Sequence, residues 1–594
     1  MSSVIPLSQS PKSAIPKGYR FTRDGVWFGD SKNSEQIAGP VRVTAYTKDE
    51  LTNIQGMVIT WEDSHGQQHV EAFPFDVLHK DAKVLAQSLA LRGLFVVPGK
   101  EQKLLHYLAS FDRTRAEWIK STPKVGWLDT NEERLVYVLP DAGGGVIASN
   151  KIERVVFQPE QHSPSTATMH PKGTLADWQK HVAEPCRGNP FLVFSLCLAF
   201  AGPLVKAARA ESGGIHFYGR SSRGKTTAAQ VAASVFGCGA DPSDSGFSYV
   251  QKWNATVNAF EALLAAHNDA LLVLDEIHTC DAKDFGRVIY NLAGGRGKSR
   301  LDKNAELRQQ RTWRTLVLST GEKSARQKIE EEDKRIFDGQ RLRLLDVPTD
   351  YGIITDAHGS EPGDFVLSLK RACAQYYGTA GTTFIRALIE KYGNHNALAA
   401  VVQRELEGCE RALASPSLGP VEQRGLRRLA LVQVAGQLAR ELNVLPFDHA
   451  EIAQAVQVVT RAWLSDDVTL PEAVRGAQQL QGFIQRHQAR FRNADNDHET
   501  PRDLAGYLHR DSKNGMLYLF TPGGFTEAVA GYDRKDVARE LHARRLLFLN
   551  EFDRFVSRHQ IRIGGEDKRL RLYAVKDDIL EHDFSSTITE TQKS

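Results

Sequence analysis

Cysteine is scarce in this chain. Six residues in 594, Cys186, Cys197, Cys238, Cys280, Cys373 and Cys409, stand singly, with no CxxC pair and no histidine at zinc-finger spacing. That pattern speaks against structural zinc and fits a reducing cytoplasm. HExxH and similar histidine spacings are also missing, so histidine-based metal catalysis is not indicated. Charge of one sign is missing too: 75 basic residues against 72 acidic ones leave +3, and any nucleic-acid surface must be local. The apolar stretch from Phe191 to Val205 is shorter than the roughly 20 residues that cross a bilayer, and Pro203 interrupts it. It reads as a buried helix, with no membrane partner. The opening MSSVIPLSQSPKSAIPKG lacks the apolar run of a secretory signal.

What is present fits several domains, because a chain this long exceeds one hydrophobic core. The Ser/Pro/Lys-rich residues 1–17 read as disordered, and 18–172 as a strand-rich N-terminal domain. Within it, Gly56 to Asp63 and Gln68 to Phe75 read as a hairpin, and Arg134 to Leu139 and Arg154 to Phe157 as short strands. The stretch QPEQHSPSTATMHPKG reads as a linker. Over 175–350, apolar strands (Ile215 to Tyr218, Ala270 to Leu274, Thr315 to Leu318, Arg341 to Val347) alternate with helical patterns, as an α/β core requires. Residues 351–470 read as a helical lid, with helices over Leu429 to Leu442 and His449 to Leu464. Residues 475–582 read as a winged helix-turn-helix. Its helices are Thr526 to Ala530 and Arg534 to Arg545, capped by Asp533, and its hairpin puts Ile561, Ile563, Leu570 and Leu572 on one face. The tail 583–594 reads as frayed.

The chemistry concentrates in the α/β part. A short strand runs into Gly219-Arg220-Ser221-Ser222-Arg223-Gly224-Lys225-Thr226-Thr227 and then a helix, the GxxxxGK[ST] pattern in its proper setting. Glycines let backbone N–H groups wrap phosphates, Lys225 neutralises β/γ charge, and the Thr226 hydroxyl can ligate Mg2+ at a helix N-terminus. Fifty residues beyond Lys225, LLVLDE ends a strand in Asp275 and Glu276. Asp275 can hold the metal and Glu276 can polarise water for in-line phosphoryl transfer. The strand TLVLSTGE then ends in Ser319 and Thr320, either of which can be the polar sensor that ring ATPases called AAA+ carry at this place.

Basic residues add three further candidates. Arg335 and Arg341 can serve as a finger inserted into a neighbouring subunit's site or as surface ion-pair partners. The loop Gly294 to Arg300 is no second P-loop, since Leu292 stands where a glycine is needed. Its Arg296, Lys298 and Arg300 can follow the phosphates of a DNA strand, reach across a subunit boundary, or form a solvated turn. Arg562, Arg569 and Arg571 share the polar face of the C-terminal hairpin, which suits duplex backbone contacts or docking to a protein.

Gly126-Trp127, VLPD from Val138 to Asp141, GRSSRGKTTA, Trp253, LDEI, YNLAGGRGKSR, STGE and DGQRLRLLDVP together resemble a family of bacterial and phage mobile-element proteins. That family was long labelled a domain of unknown function and is similar to MCM-like replicative helicases of staphylococcal cassette chromosomes. The resemblance covers residues 18 to about 350 well and the lid loosely. It implies an α/β P-loop NTPase (AAA+) core with a helical lid, ATP and Mg2+ as cofactors, a homo-hexameric ring and ATP-driven translocation on DNA. Position by position it marks Gly219, Gly224, Lys225 and Thr226 for nucleotide, Asp275 and Glu276 for hydrolysis, and Ser319 or Thr320 as sensor. A primase, if needed, would be a separate protein. The expectation is an ATP-dependent DNA helicase or translocase serving a mobile genetic element; the alternative is an ATP-gated DNA-binding initiator or helicase loader.

Overall fold

The computed structural model describes residues 14–594 except 31, 51, 115, 129–133, 141–145, 149–154, 160–167, 244–246, 281–284, 300–309, 332–341, 350–351, 415–417, 419, 466–471, 495–502, 513–514, 550–554, 564–565, 583 and 585–594. The chain divides into two compact units, Met1–Trp463 and Leu464–Ser594. The expected divisions at 18–172 and 175–350 lie within the first, and that at 351–470 does so up to Trp463. Most of the expected linker, 160–167, falls outside the described residues.

In the first unit, period-two alternation builds a five-stranded mixed sheet in the order Val155–Phe157, Trp118–Thr122, Val41–Asp49, Gln55–Glu62, Gln68–Pro74. The hairpin read from the sequence is its last pair, with Glu62 opposite Gln68. Helices Ala82–Ala90 and Glu101–Ala109 pack Leu85, Leu89, Leu104 and Leu108 into one core with Val43, Met57 and Ile59. A short sheet of Gly126–Trp127, Val136–Val138 and Val146–Ala148 follows. This is where the Gly-Trp motif acts. A Cβ on Gly126 would lie 2.6 Å from the Asp269 carboxylate, so only glycine lets this backbone approach. The Trp127 amide donates to Asp269 at 3.1 Å, its indole to the Pro203 carbonyl at 2.6 Å, and the Tyr137 hydroxyl to the Asp269 carbonyl at 2.7 Å.

The central sheet consists of β1 (Gly213–Tyr218), β2 (Gln251–Lys252), β3 (Ala270–Asp275), β4 (Thr315–Gly321) and β5 (Leu344–Pro348). All pairings are parallel, in the order β2-β3-β4-β1-β5. The near-continuous apolar runs ALLVLD and TLVLSTG are what a parallel sheet covered on both faces demands. Helix α1 (Pro190–Ala201) precedes the sheet, and α2 (Lys225–Ala233), α3 (Val257–Ala266), α4 (Phe285–Gly294) and α5 (Ala325–Glu330) connect its strands. Every residue of α1 from Phe191 to Ala201 is buried, as an all-round apolar helix must be in a protein core. Among the described residues no helix is long and apolar enough to cross a membrane. Beyond β5 come α6 (Pro362–Gln375) and helices Thr379–Tyr392, His395–Leu413, Pro420–Glu441 and His449–Ser465.

The second unit contains helices Glu472–Arg486, Pro522–Ala528 and Arg534–Ala543, the last capped by Asp533 accepting from the Lys535 and Asp536 amides. Strands Gly506–Asp511 and Gly515–Phe520, which sequence reading missed, pair antiparallel in its sheet. Phe525 stacks on Tyr573 with centroids 3.9 Å apart, closing a core with Phe491 and Phe520. Strands Ser557–Ile563 and Glu566–Lys576 form the expected hairpin.

Candidate functional site

A cavity of about 610 Å³ opens at the carboxyl ends of β1, β3 and β4, the end of an open parallel sheet where ligands bind. β1 delivers the chain into the glycine loop, where Gly219, Ser222 and Gly224 take φ of +144°, +59° and +87°. Those angles turn the chain directly into α2, whose first residues are Lys225 and Thr226. The Lys225 ammonium donates to the carbonyls of Gly219 at 2.9 Å and Arg220 at 2.6 Å. Burial lowers its pKa, opposed first by the Glu322 carboxylate and then by Asp275.

Opposite the loop, Asp275 ends β3. It accepts from the Thr226 hydroxyl at 3.4 Å through one oxygen and from the Thr320 hydroxyl through the other. Glu276 follows in the left-handed region, with φ +61°, and its amide donates to the Thr320 oxygen at 3.4 Å. Burial raises the Asp275 carboxyl above its usual range, the Thr320 bond opposes this, and the neighbouring Glu276 charge adds to the rise. A divalent cation at this place reverses that logic by favouring the ionised acid. Thr226 and Asp275, a hydroxyl and a carboxylate within contact, are oxygen donors of the kind Mg2+ takes.

The choice left open between Ser319 and Thr320 follows from strand alternation. Thr320 lines the cavity, whereas Ser319 points to the other face and is fully buried. Its oxygen accepts from the Trp253 indole at 2.9 Å and lies 2.8 Å from His216 Nδ1. His216 Nε2 faces the Lys323 carbonyl at 2.9 Å. A carbonyl can only accept, so Nε2 carries the hydrogen and the Ser319 hydroxyl donates to Nδ1. Burial pushes His216 down to about 4, which keeps the ring neutral.

Of the remaining candidates, Ser221, Ser222, Arg223 and Thr227 line the cavity, and Arg220 contributes its carbonyl. Arg335, Arg341 and Arg300 lie outside the described residues. Arg296 and Lys298 stand in a hairpin between α4 and β4, Arg296 bridging Thr312 and the Gly297 amide donating to the Arg311 carbonyl at 2.8 Å. The backbone on either side of the glycines is thus paired at these positions. Sequence reading missed Glu322, although it closes the STGE motif, and Lys370 on α6, which has no local signature. Both line the cavity, and Lys370 pairs with Asp241 at 3.2 Å.

In the second unit, Arg562, Arg569 and Arg571 are exposed as expected, and Arg558 joins them. Alternation from buried Ser557, His559 and Ile561 would have found it. Arg558 lies directly opposite Arg571 and Gln560 opposite Arg569, while Arg562 faces Asp567. Among the described residues no ion pair reaches Arg558, Arg569 or Arg571.

Residues 19–312, just under half of the chain, match the family model described as "Domain of unknown function (DUF927)". No curated protein matches the chain. A solved structure described as "SCCmec type IV Cch - active helicase" is similar over 95% of this chain and 99% of its own, with a TM-score of 0.66 and 18% identity. Two structures of the "NrS-1 C terminal region" align with TM-scores of 0.28 and 0.25, at 9% and 7% identity, over 90% and 87% of this chain and 96% of each of theirs; agreement that low supports no argument. The chain thus has the fold of that solved helicase structure, with mixed and parallel α/β sheets.

Proposed function

We propose that the chain is an ATP-dependent DNA helicase or translocase that serves a mobile genetic element. The single observation behind this reading is the cavity in which Lys225, Thr226, Asp275, Glu276 and Thr320 converge from three neighbouring parallel strands. Backbone amides of residues 219–226 would hold the phosphates, with Lys225 leaving its own loop carbonyls for the β/γ oxygens. Thr226 and Asp275 would hold Mg2+, which when bound offsets phosphate charge. Glu276 would take the proton of the attacking water while Thr320 keeps the two acids in place. The core would be of the AAA+ type, residues 351–470 its lid, and the subunits a hexameric ring, with a finger from Arg335 or Arg341 of a neighbour and any primase on a separate chain.

DNA contact is assigned to the hairpin bearing Arg296 and Lys298, with Arg300 of the same glycine-rich sequence, and to the winged-helix-like second unit. The initiator or loader alternative draws on one observation: three arginines of the C-terminal hairpin lack a counter-charge among the described residues, which suits a stationary grip on a backbone. Strand displacement with ATP and Mg2+, run beside Lys225→Ala and Glu276→Gln, tests the motor. Unwinding that survives in both variants refutes it. Wild-type protein that hydrolyses ATP and binds DNA without unwinding favours the loader.

A further inference from the structure

Trp253 follows β2, far in sequence from the cavity residues, yet it is fixed to two of the strands that carry them. Its backbone N–H donates to the Asp275 carbonyl at 3.2 Å, and its indole N–H donates to Ser319, the neighbour of Thr320, at 2.9 Å. The ring is fully buried and packs on Phe260 of α3 and Phe285 of α4, with centroids 5.2 and 5.4 Å away. Those two helices lead to the basic hairpin. Glu261, next to Phe260, accepts the Lys298 amide at 3.2 Å, and a Cβ on Gly297 would come within 2.8 Å of its carboxylate. α4 runs directly into the hairpin, where the Trp313 indole ties back to the Leu292 carbonyl at 2.9 Å.

A core that needed only bulk at position 253 could fill it with phenylalanine. The indole hydrogen instead completes a chain with one possible proton order, from Trp253 to Ser319, Ser319 to His216 and His216 to the Lys323 carbonyl. The chain ends beside Glu322 on the cavity wall. A fully satisfied buried network holds one geometry and resists partial distortion, so a shift at the ends of β3 and β4 has to move the indole and, with it, the packing under the hairpin.

We propose that Trp253 is a positioning residue that couples the phosphate end of the nucleotide cavity to the basic hairpin, an inference that rests on the reading of that hairpin as the DNA contact. Trp253→Phe keeps an aromatic ring between Phe260 and Phe285 and deletes the indole donor. Ser319→Ala removes one oxygen of the same chain and leaves all three rings, which covers the case in which the larger change unfolds the protein.

The measurement is ATP hydrolysis by the full chain with and without single-stranded DNA, alongside DNA affinity. Both variants are expected to keep the DNA-free rate within about twofold and the DNA affinity of wild type, and to lose about fivefold of the DNA stimulation. Full stimulation in both variants overturns the coupling and leaves the hairpin reading standing. A DNA-free rate that falls in step with the stimulated rate overturns it too, since Trp253 would then only support the fold. The joint variant Arg296→Ala with Lys298→Ala separates the underlying reading: if it retains wild-type DNA affinity and stimulation, the hairpin is not the contact and both inferences fall.

Discussion

Replacing Thr320 by valine changes one hydroxyl for one methyl at nearly constant volume, so the packing of β4 is preserved and only hydrogen bonding is lost. The Thr320 hydroxyl donates to one oxygen of Asp275 and accepts the Glu276 amide at 3.4 Å. Without it, Asp275 loses its closest side-chain donor and keeps the longer bond from Thr226 at 3.4 Å and the Glu276 backbone, in a position that is 5% exposed. A hydrogen bond to a charged group is worth about 1.5–3 kcal/mol. If that energy is needed to hold both acids in the hydrolytic geometry, the rate falls roughly ten- to a hundredfold. Thr320→Ser keeps the hydroxyl and should restore most of the loss, whereas Ser319→Ala, one residue away on the opposite face, should leave the DNA-free rate nearly unchanged. Steady-state ATP hydrolysis over a Mg2+ titration reads all three. Wild-type turnover in Thr320→Val, or an equal loss in Ser319→Ala, refutes the assignment of the cavity-facing role to Thr320.

Three other outcomes follow from the geometry. Asp269 is fully buried and receives the Arg314 guanidinium at 2.9 and 3.0 Å; Arg314→Met strands that carboxylate and should cost about 3–5 kcal/mol in chemical denaturation, so a loss under about 1 kcal/mol contradicts the account. Burial holds His216 and His267 at about 4, while an unfolded histidine protonates near pH 6.5. The unfolded chain therefore binds more protons between those values, and stability complete above about pH 6.5 should fall as pH drops toward 4, by up to roughly 3 kcal/mol for each ring. A melting temperature that stays flat across that window speaks against both. Arg558→Ala combined with Arg571→Ala should lower the slope of log affinity against log salt for DNA by about 2 if each meets a phosphate; an unchanged slope removes the pair from the interface.

Much of the core was legible in the sequence because its signals are local. The glycine loop, the helix that follows and the acids ending LLVLDE each occupy a few adjacent residues, and the structure brings Lys225, Thr226, Asp275 and Glu276 to one cavity. α1 was legible from its unbroken apolar run. What escaped depends on distant pairing. Strands Gly506–Asp511 and Gly515–Phe520 carry tyrosine, histidine and arginine among their apolar residues, and acquire an identity only when the first pairs with the second and the second with Glu566–Lys576. The Gly126-Trp127 pair was visible as a motif, but its reason, the carboxylate of Asp269, lies 142 positions away. Lys370 could not be distinguished from other helical lysines until α6 was packed over the glycine loop. Ser319 and Thr320 were separable in principle, since alternation forces adjacent side chains to opposite faces, but only the pairing of β4 between β3 and β1 fixes which face is which.

The same cavity is built against the local preferences of the chain, which argues that it is kept for something other than stability. Ser222 and Glu276 both hold positive φ without being glycine, a conformation that costs about 1–3 kcal/mol each. Glu276 also follows Asp275 directly, so two carboxylates sit side by side, one of them raised in pKa first by its burial and further by its neighbour's charge. Lys225 spends its donors on the carbonyls of its own loop. Under the proposed function each of these costs has the same remedy: a bound polyphosphate would take the lysine's hydrogen bonds, and a divalent cation would lower the repulsion between the acids. A structural turn would have glycine at 276 and an apolar residue at 275; the residues actually present are those that the proposed binding of anion and cation together would require.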